Sequence, residues 1–542
     1  TISYAGNTNN GGSVTASTVS GDHPNIGSSL LDANKSANRF YSIASVGVVG
    51  FTSANITFFF NPADLDGGTN TNNLIVGQFN GTWLQPTVGL RTATSTQLVG
   101  LTTFGDFQVA EEFVGEIIWN GTVSADWNNS ANWTPNLIPT AADDIIINTG
   151  LFQPSFLTPG NGACRDITFN AGTNLNVPSG YSLTVSGNWA GAATVVSGSG
   201  SVIFTSPTAL HTGNTSFGGV LAIATGGNLA TSDGITILNN GSLMHGIATA
   251  GAGGSITGKV TIRRSGNPTP NSYNYWSSPI VNASIAPLGQ NRYFYNPAAA
   301  SGTDQVGLQT GWINAVGTMA IGRGYIATGS GNASFTGTPN NGPVTFGPTS
   351  IGAFTSFNLI GNPYPSAISA PAFVAANPSI NGSALYFWDD DGSAGSDYDG
   401  ATDYAVWNNL GFVSGPNSGT PFNGNIASCQ GFFIEASSSS NIQFNNSMRT
   451  TANSSFFDQN NVERLWISVT TAANDYNETL IAFKADATDG IDNQYDAKKL
   501  KGNAHISLYS KAEGSDLAIQ AIPTLTADKV IPLGIDADAN GA

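Results

Sequence analysis

Charged side chains are scarce: Asp, Glu, Lys and Arg make up 9% of the 542 residues, where an average soluble domain carries roughly 25%. The basic side is the thinner one, with 17 Lys and Arg against 34 Asp and Glu, a net charge of −17. Between Phe40 and Gly258 the only Lys or Arg residues are Arg91 and Arg165. No cationic stripe can form there, which argues against nucleic acid and against anionic membrane surfaces as partners. Cysteine is nearly absent. Cys164 and Cys429 lie far apart and read as two buried thiols instead of a disulfide framework. Four histidines, His23, His211, His245 and His505, are scattered along the chain, and no His-Glu-x-x-His or Cys-x-x-Cys spacing occurs. Zinc and a nucleophile–base pair are disfavoured, and the chain is expected not to be an enzyme. No apolar run approaches the roughly 20 residues of a transmembrane helix. The sequence starts at Thr1 with no leader in view, as a mature exported product would.

What is present is β-forming. Hydrophobic residues reach 40% and glycines number 66, enough for real cores between tight turns, with polar surface supplied by Asn, Ser and Thr. Strands favour β-branched and aromatic residues, whereas helix surfaces draw on the missing Glu and Lys. An all-β, multidomain chain is expected.

Four regions can be separated. Residues 1–115 alternate short apolar runs, such as Phe40–Val46, Ile56–Phe60 and Leu74–Phe79, with Gly, Asn and Asp clusters, the pattern of a β-sandwich. Residues 116–264 begin with a Trp-rich opening segment (Trp119, Trp127, Trp133). Runs such as Ile145–Ile147, Ile167–Phe169, Leu183–Val185, Val202–Phe204 and Val220–Ile223 follow, recurring at roughly 15–22 residues as stacked coils of a parallel β-solenoid would. An antiparallel sandwich is the alternative. Residues 265–453 form an aromatic- and Pro-rich β domain, expected to be a sandwich or jelly roll. In 454–542 the charge changes, since eight of the 17 basic residues fall from Arg449 onward. That region reads as a further β-sandwich module whose strands continue to Ala542, as though part of it had been processed away or lay beyond.

Several motifs in the second half carry a family likeness. Gly361-Asn362-Pro363-Tyr364-Pro365, Leu385-Tyr386-Phe387-Trp388-Asp389, Gln430-Gly431-Phe432-Phe433, Glu463-Arg464-Leu465-Trp466 and Tyr495-Asp496-Ala497 resemble the cargo modules of Bacteroidota type IX secretion substrates. The Trp119–Pro135 segment with its solenoid resembles another module of the same large surface proteins. Asn34–Arg39 with Arg91–Ser95 is similar to an Ig-like module found among them. The resemblance implies export to the outer surface or surroundings of a Gram-negative bacterium. It also implies partners in the type IX secretion and outer-membrane attachment machinery, and a role in adhesion, gliding motility or surface filaments. Self-association, other surface proteins and polysaccharides are the further partners expected. A secreted carbohydrate-binding array, or the accessory region of a secreted hydrolase, is the competing reading.

The sharpest local feature is acidic. Asp389, Asp390, Asp391, Asp397, Asp399 and Asp403 fall within fifteen residues around Gly392. Such carboxylates repel unless solvated or bridged, and Ca²⁺ takes 6–8 oxygens in flexible geometry. Asp389, Asp391, Asp397 and Asp399 are the candidate Ca²⁺ ligands, against a solvated acidic turn. Asp64 and Asp66 form a smaller acidic turn, read as a routine turn with Ca²⁺ as the alternative, and Asp489, Asp492 and Asp496 are spaced to cap turns, with metal binding as the alternative. Tyr273, Tyr275, Trp276, Tyr364, Trp388 and Trp407 can supply a sugar-stacking platform or be buried in a β core.

Overall fold

The computed structural model describes the chain except residues 6–11, 48–50, 247–252, 267–272, 302–309, 330, 354, 389–399, 402–403, 414–421, 452–462, 471–475, 501–503, 525–527 and 538–542. Strands take 52% of the chain, and the α-helix Ala370–Ala375 spans six residues, so the protein is all-β. A parallel β-solenoid of about five turns occupies residues 145–262. Two compact units are distinguished: Thr1–Asn176 with Leu183–Ala192, and Val177–Ser182 with Ala193–Ala542.

The first unit opens with two antiparallel sheets. One orders Ile2–Ala5, Ser53–Phe59, Ser95–Leu101 and Val88–Thr92. The other orders Ser13–Ser20, Leu31–Val46, Asp106–Glu112, Leu74–Phe79 and Trp83–Leu84. Alternation puts Ile43, Ile56, Phe58, Leu74, Val76, Leu98, Phe107 and Val109 into one shared core, the two-layer solution of a β-sandwich. The conspicuous Asn34–Arg39 segment sits at register shifts in the pairing of Leu31–Val46 with Asp106–Glu112. The acidic turn secures it: Asp66 accepts from Ser36 N at 2.8 Å and Asn38 Nδ2 at 2.6 Å, while Arg39 Nε donates to Asp64 at 3.1 Å.

The solenoid then begins. Ile117–Trp119, Ile145–Ile147 and Ile167–Phe169 pair in parallel, in register. Each three-residue run points its outer two side chains inward, so Ile145, Ile147, Ile167 and Phe169 are buried while the residue between is not. Trp119, Trp127 and Trp133 close this end as a fully buried trio, with Trp133 edge-on to both others at 5.0 and 4.8 Å.

In the second unit the coils continue. Ser201–Phe204, Val220–Ile223 and Ser242–His245 stack in parallel on one face, and Ala209–Phe217, Ile235–Ile237 and Val260–Ser265 on another. Val260–Ser265 then pairs antiparallel with Asn332–Gly337, ending the parallel stack. A four-stranded sheet orders Tyr273–Trp276, Tyr325–Thr328, Gln290–Tyr295 and Trp312–Asn314. A five-stranded sheet orders Phe357–Gly361, Gly431–Ala436, Ile380–Trp388, Tyr404–Asn408 and Gly411–Val413. The C-terminal sheet is built on Tyr476–Phe483, Ala504–Ala512 and Ser515–Ile522. Its Leu480, Ala482, Ile519 and Ala521 share a core with Tyr386, Val406 and Phe433 of the five-stranded sheet. Among the described residues no helix is long and apolar enough to cross a membrane.

Candidate binding pocket

Asp389, Asp391, Asp397 and Asp399 lie outside the described residues, and among those described no cluster of three or more His, Cys, Asp or Glu is arranged to hold a metal. The other acidic residues have structural partners. Besides the Asp64–Asp66 turn, Asp489 pairs with Lys529. Asp496 accepts from the backbone of Ala521 and Asp492, each at 2.7 Å. Burial still pushes its carboxyl up to about 6, because desolvation outweighs those two bonds.

The described histidine side chains are likewise engaged. His23 is packed among Phe40, Phe79 and Trp83 and reaches Asp106 at 3.4 Å. His211 bonds Thr215 and Thr231 inside the solenoid, where burial lowers its pKa to about 4. His245 Nδ1 lies 2.9 Å from Arg449 Nη1. Because a guanidinium only donates, Nδ1 is the acceptor and the proton sits on Nε2. Cys164 and Cys429 are both buried free thiols. Burial pushes the Cys429 thiol up to about 11, so it is a poor nucleophile.

The Gly361–Pro365 motif is a clamp. Asn362 is fully buried, and its Nδ2 donates to the carbonyls of Ser366, Ile426 and Ala427 at 2.8–3.2 Å. The fully buried Tyr364 donates its hydroxyl to Gly342 O at 2.6 Å and lies under Arg449, 5.0 Å from ring centroid to guanidinium carbon. Arg449 is itself buried. Its Nε donates to Ser366 Oγ at 2.9 Å and its Nη2 donates to Leu243 O. With Leu243 N donating to Pro365 O at 2.9 Å, the last coil is tied to the motif.

The six candidate platform aromatics divide. Trp276, Tyr364 and Trp407 are buried, while Tyr273, Tyr275 and Trp388 are partly exposed. The latter three, with Trp276, line a pocket of about 430 Å³, within the range of small-ligand sites. Tyr275 and Trp388 lie parallel, 5.5 Å apart with 5° between planes. Tyr275 is also hydroxyl-to-hydroxyl with Tyr404 at 2.7 Å. The floor comes from the Ala427–Gly431 turn, where Gln430 Oε1 accepts from Ala427 N at 3.0 Å. Gly431 runs so close beneath Trp276 that a Cβ there would sit 3.0 Å from Trp276 O.

Sequence reading missed the pocket's cation. Arg264, at the end of the solenoid's Val260–Ser265 strand, lines it. Burial lowers its guanidinium pKa. Its hydrogen bond among the described residues runs from Nη1 to Asn239 O, and no described carboxylate pairs with it. The available signal was Arg263-Arg264 itself, two adjacent cations after a long stretch nearly without them.

The comparisons bear on the part of the chain that holds this pocket. Residues 118–217 and 209–542 match the model of a family described as a domain of unknown function, DUF8693. The chain belongs to that family. The matched residues include the solenoid, the clamp and every pocket residue, so the family's shared region contains the whole candidate site. The chain matches no curated protein and no solved structure.

Proposed function

We propose that the chain is an exported protein of the outer surface or surroundings of a Gram-negative bacterium, acting by binding instead of catalysis, as an adhesin or surface-filament component. The observation that carries this reading is the pocket: aromatic rings and a cation gather where the end of the solenoid meets the following sheets. Supporting it, the described histidines and the conspicuous motifs are engaged in holding the fold together. The likeness to type IX secretion cargo makes that system and its attachment components the proposed export partners. A released carbohydrate-binding array is the second reading, favoured by the same aromatic lining.

Immunogold microscopy of intact producing cells, with antibody to residues 1–115, tests the assignment. Label along the surface or on fibres supports it. Antigen found in the medium alone favours the released binding protein. Antigen confined to the cell interior refutes both. Calcium at Asp389, Asp391, Asp397 and Asp399 remains part of the proposal. A chelator should lower the melting temperature of the native chain and leave Asp389→Ala/Asp391→Ala unaffected; native protein indifferent to chelator sinks the assignment.

A further inference from the structure

Sheet edges present unpaired backbone N–H and C=O groups, and soluble proteins blunt them with short strands, bulges, proline or charge. Three edges of the N-terminal sandwich are blunted in this way. Trp83–Leu84 has two residues and Ile2–Ala5 four, while Val88–Thr92 carries a register shift and Arg91. The remaining edge is not. Ser13–Ser20 closes its five-stranded sheet as an eight-residue strand, paired without interruption to Arg39–Val46 of the neighbouring strand. Its sequence, Ser-Val-Thr-Ala-Ser-Thr-Val-Ser, contains no charge, proline or glycine. Among the described residues nothing pairs with its far side. Every residue of it is exposed except Val14, which is half-buried against the sandwich core.

The chemistry of this edge favours a second copy of the same chain. Copies with a net charge of −17 repel wherever acidic surfaces meet, and this strand offers no such surface. Along the paired segment of the neighbouring strand the charged residue is Arg39, and it is already engaged, donating to Thr18 Oγ1 at 2.6 Å and to Asp64 at 3.1 Å. Symmetry then restricts the pairing. A twofold axis normal to the sheet runs two copies of the strand antiparallel and keeps each side chain on its own face. Facing positions must therefore be separated by an even number of residues. With the axis at Ala16, Ala16 faces its own copy, Val14 faces Thr18 and Thr15 faces Ser17. Such β-branched and hydroxyl pairs stabilise adjoining strands, and no like charges meet.

We infer that the Ser13–Ser20 edge is a homotypic docking site, where two copies pair strand to strand and join two five-stranded sheets into one. The same patch serves on both copies, the contact of a closed dimer. One pair of strands buries less than the roughly 1,200 Å² of a stable interface. The dimer is therefore weak in dilute solution and fills where copies are held at high local concentration. The site rests on the strand and not on the surface assignment, which cell labelling tests separately.

Sedimentation velocity of the full chain over a micromolar-to-millimolar series tests the site. The native chain should pass from monomer to dimer as concentration rises, and more readily as salt screens the general repulsion. Ala16→Lys sets two ammonium groups face to face across the axis. It should leave a monomer at every concentration with the melting temperature unchanged, since Ala16 is exposed. Ala16→Glu should do the same. An equimolar mixture of the two variants should dimerise again, because opposite charges then face each other; a misfolded strand would not recover. A dimer that survives Ala16→Lys, or that the mixture fails to restore, overturns the strand pairing. A native chain monomeric throughout overturns the docking site.

Discussion

Arg449 offers the sharpest test of how the second unit is held together. Its guanidinium is buried, bonded to Ser366, His245 and Leu243 and stacked on Tyr364, with no carboxylate partner among the described residues. Burial pulls its pKa down to about 9, so the site has an appreciable desolvation cost. A buried charge can sometimes be replaced by an apolar group at no net loss. Here the neighbours argue otherwise. Arg449→Ala leaves Ser366 Oγ, His245 Nδ1 and Leu243 O without a donor, each costing about 1–3 kcal/mol where water is excluded. It also forfeits a desolvated cation–π contact worth up to about 2 kcal/mol. Partial relaxation and water entry reduce the sum, so a net loss of about 3–5 kcal/mol is expected, the scale of breaking a buried charged cluster. Arg449→Lys should recover part of this, since one ammonium cannot span the same three acceptors. Hydrogen exchange at Leu243 N–H, bonded to Pro365 O, read beside urea unfolding of the full chain, makes the assay local as well as global. Unchanged protection at Leu243, with a stability loss under about 1 kcal/mol, would refute the clamp.

Three further perturbations follow from single sites. His211, lowered to about 4 by burial, binds a proton less readily folded than unfolded. Its contribution is therefore complete above about pH 6.5 and is lost as pH falls through 4, by up to about 3 kcal/mol; the slope should shrink in His211→Gln, and an identical acid limb in that variant would contradict the assignment. Asp496, raised to about 6, works in the opposite sense. Its stabilisation is greatest below about pH 4 and fades as pH rises through 6, by at most about 3 kcal/mol, and Asp496→Asn should remove that slope in pH-dependent denaturation. Asp66→Ala strips acceptors from Ser36 N and Asn38 Nδ2. The N-terminal sandwich should lose about 1–3 kcal/mol with or without chelator; a chelator-dependent loss would mean the turn holds a cation after all.

Which parts of this molecule could be read from its residues depends on whether the information is periodic or spatial. The solenoid was legible because each coil repeats one physical demand. Two side chains of a three-residue strand enter the core, so Ile145 and Ile147, then Ile167 and Phe169, leave the same mark in sequence. The sandwich was legible for a similar reason, through alternation along Ser53–Phe59 and Leu74–Phe79. Charge composition reports surfaces and says little about packing. The rise in basic residues from Arg449 onward is visible in sequence, but not that Leu480 and Ile519 would join Tyr386 and Phe433 in one core. The antiparallel partner of Val260–Ser265, some seventy residues on in Asn332–Gly337, is equally silent, since antiparallel strands carry no label for their mates. The pocket is harder still. Trp276 and Trp407 are as aromatic as Trp388, and only the pairing of their strands decides which is enclosed. That Arg264 lines the pocket is a spatial fact that no local pattern encodes. Adjacent residues differ by the parity of one strand: Arg263 is exposed, and Arg264 is drawn half inside.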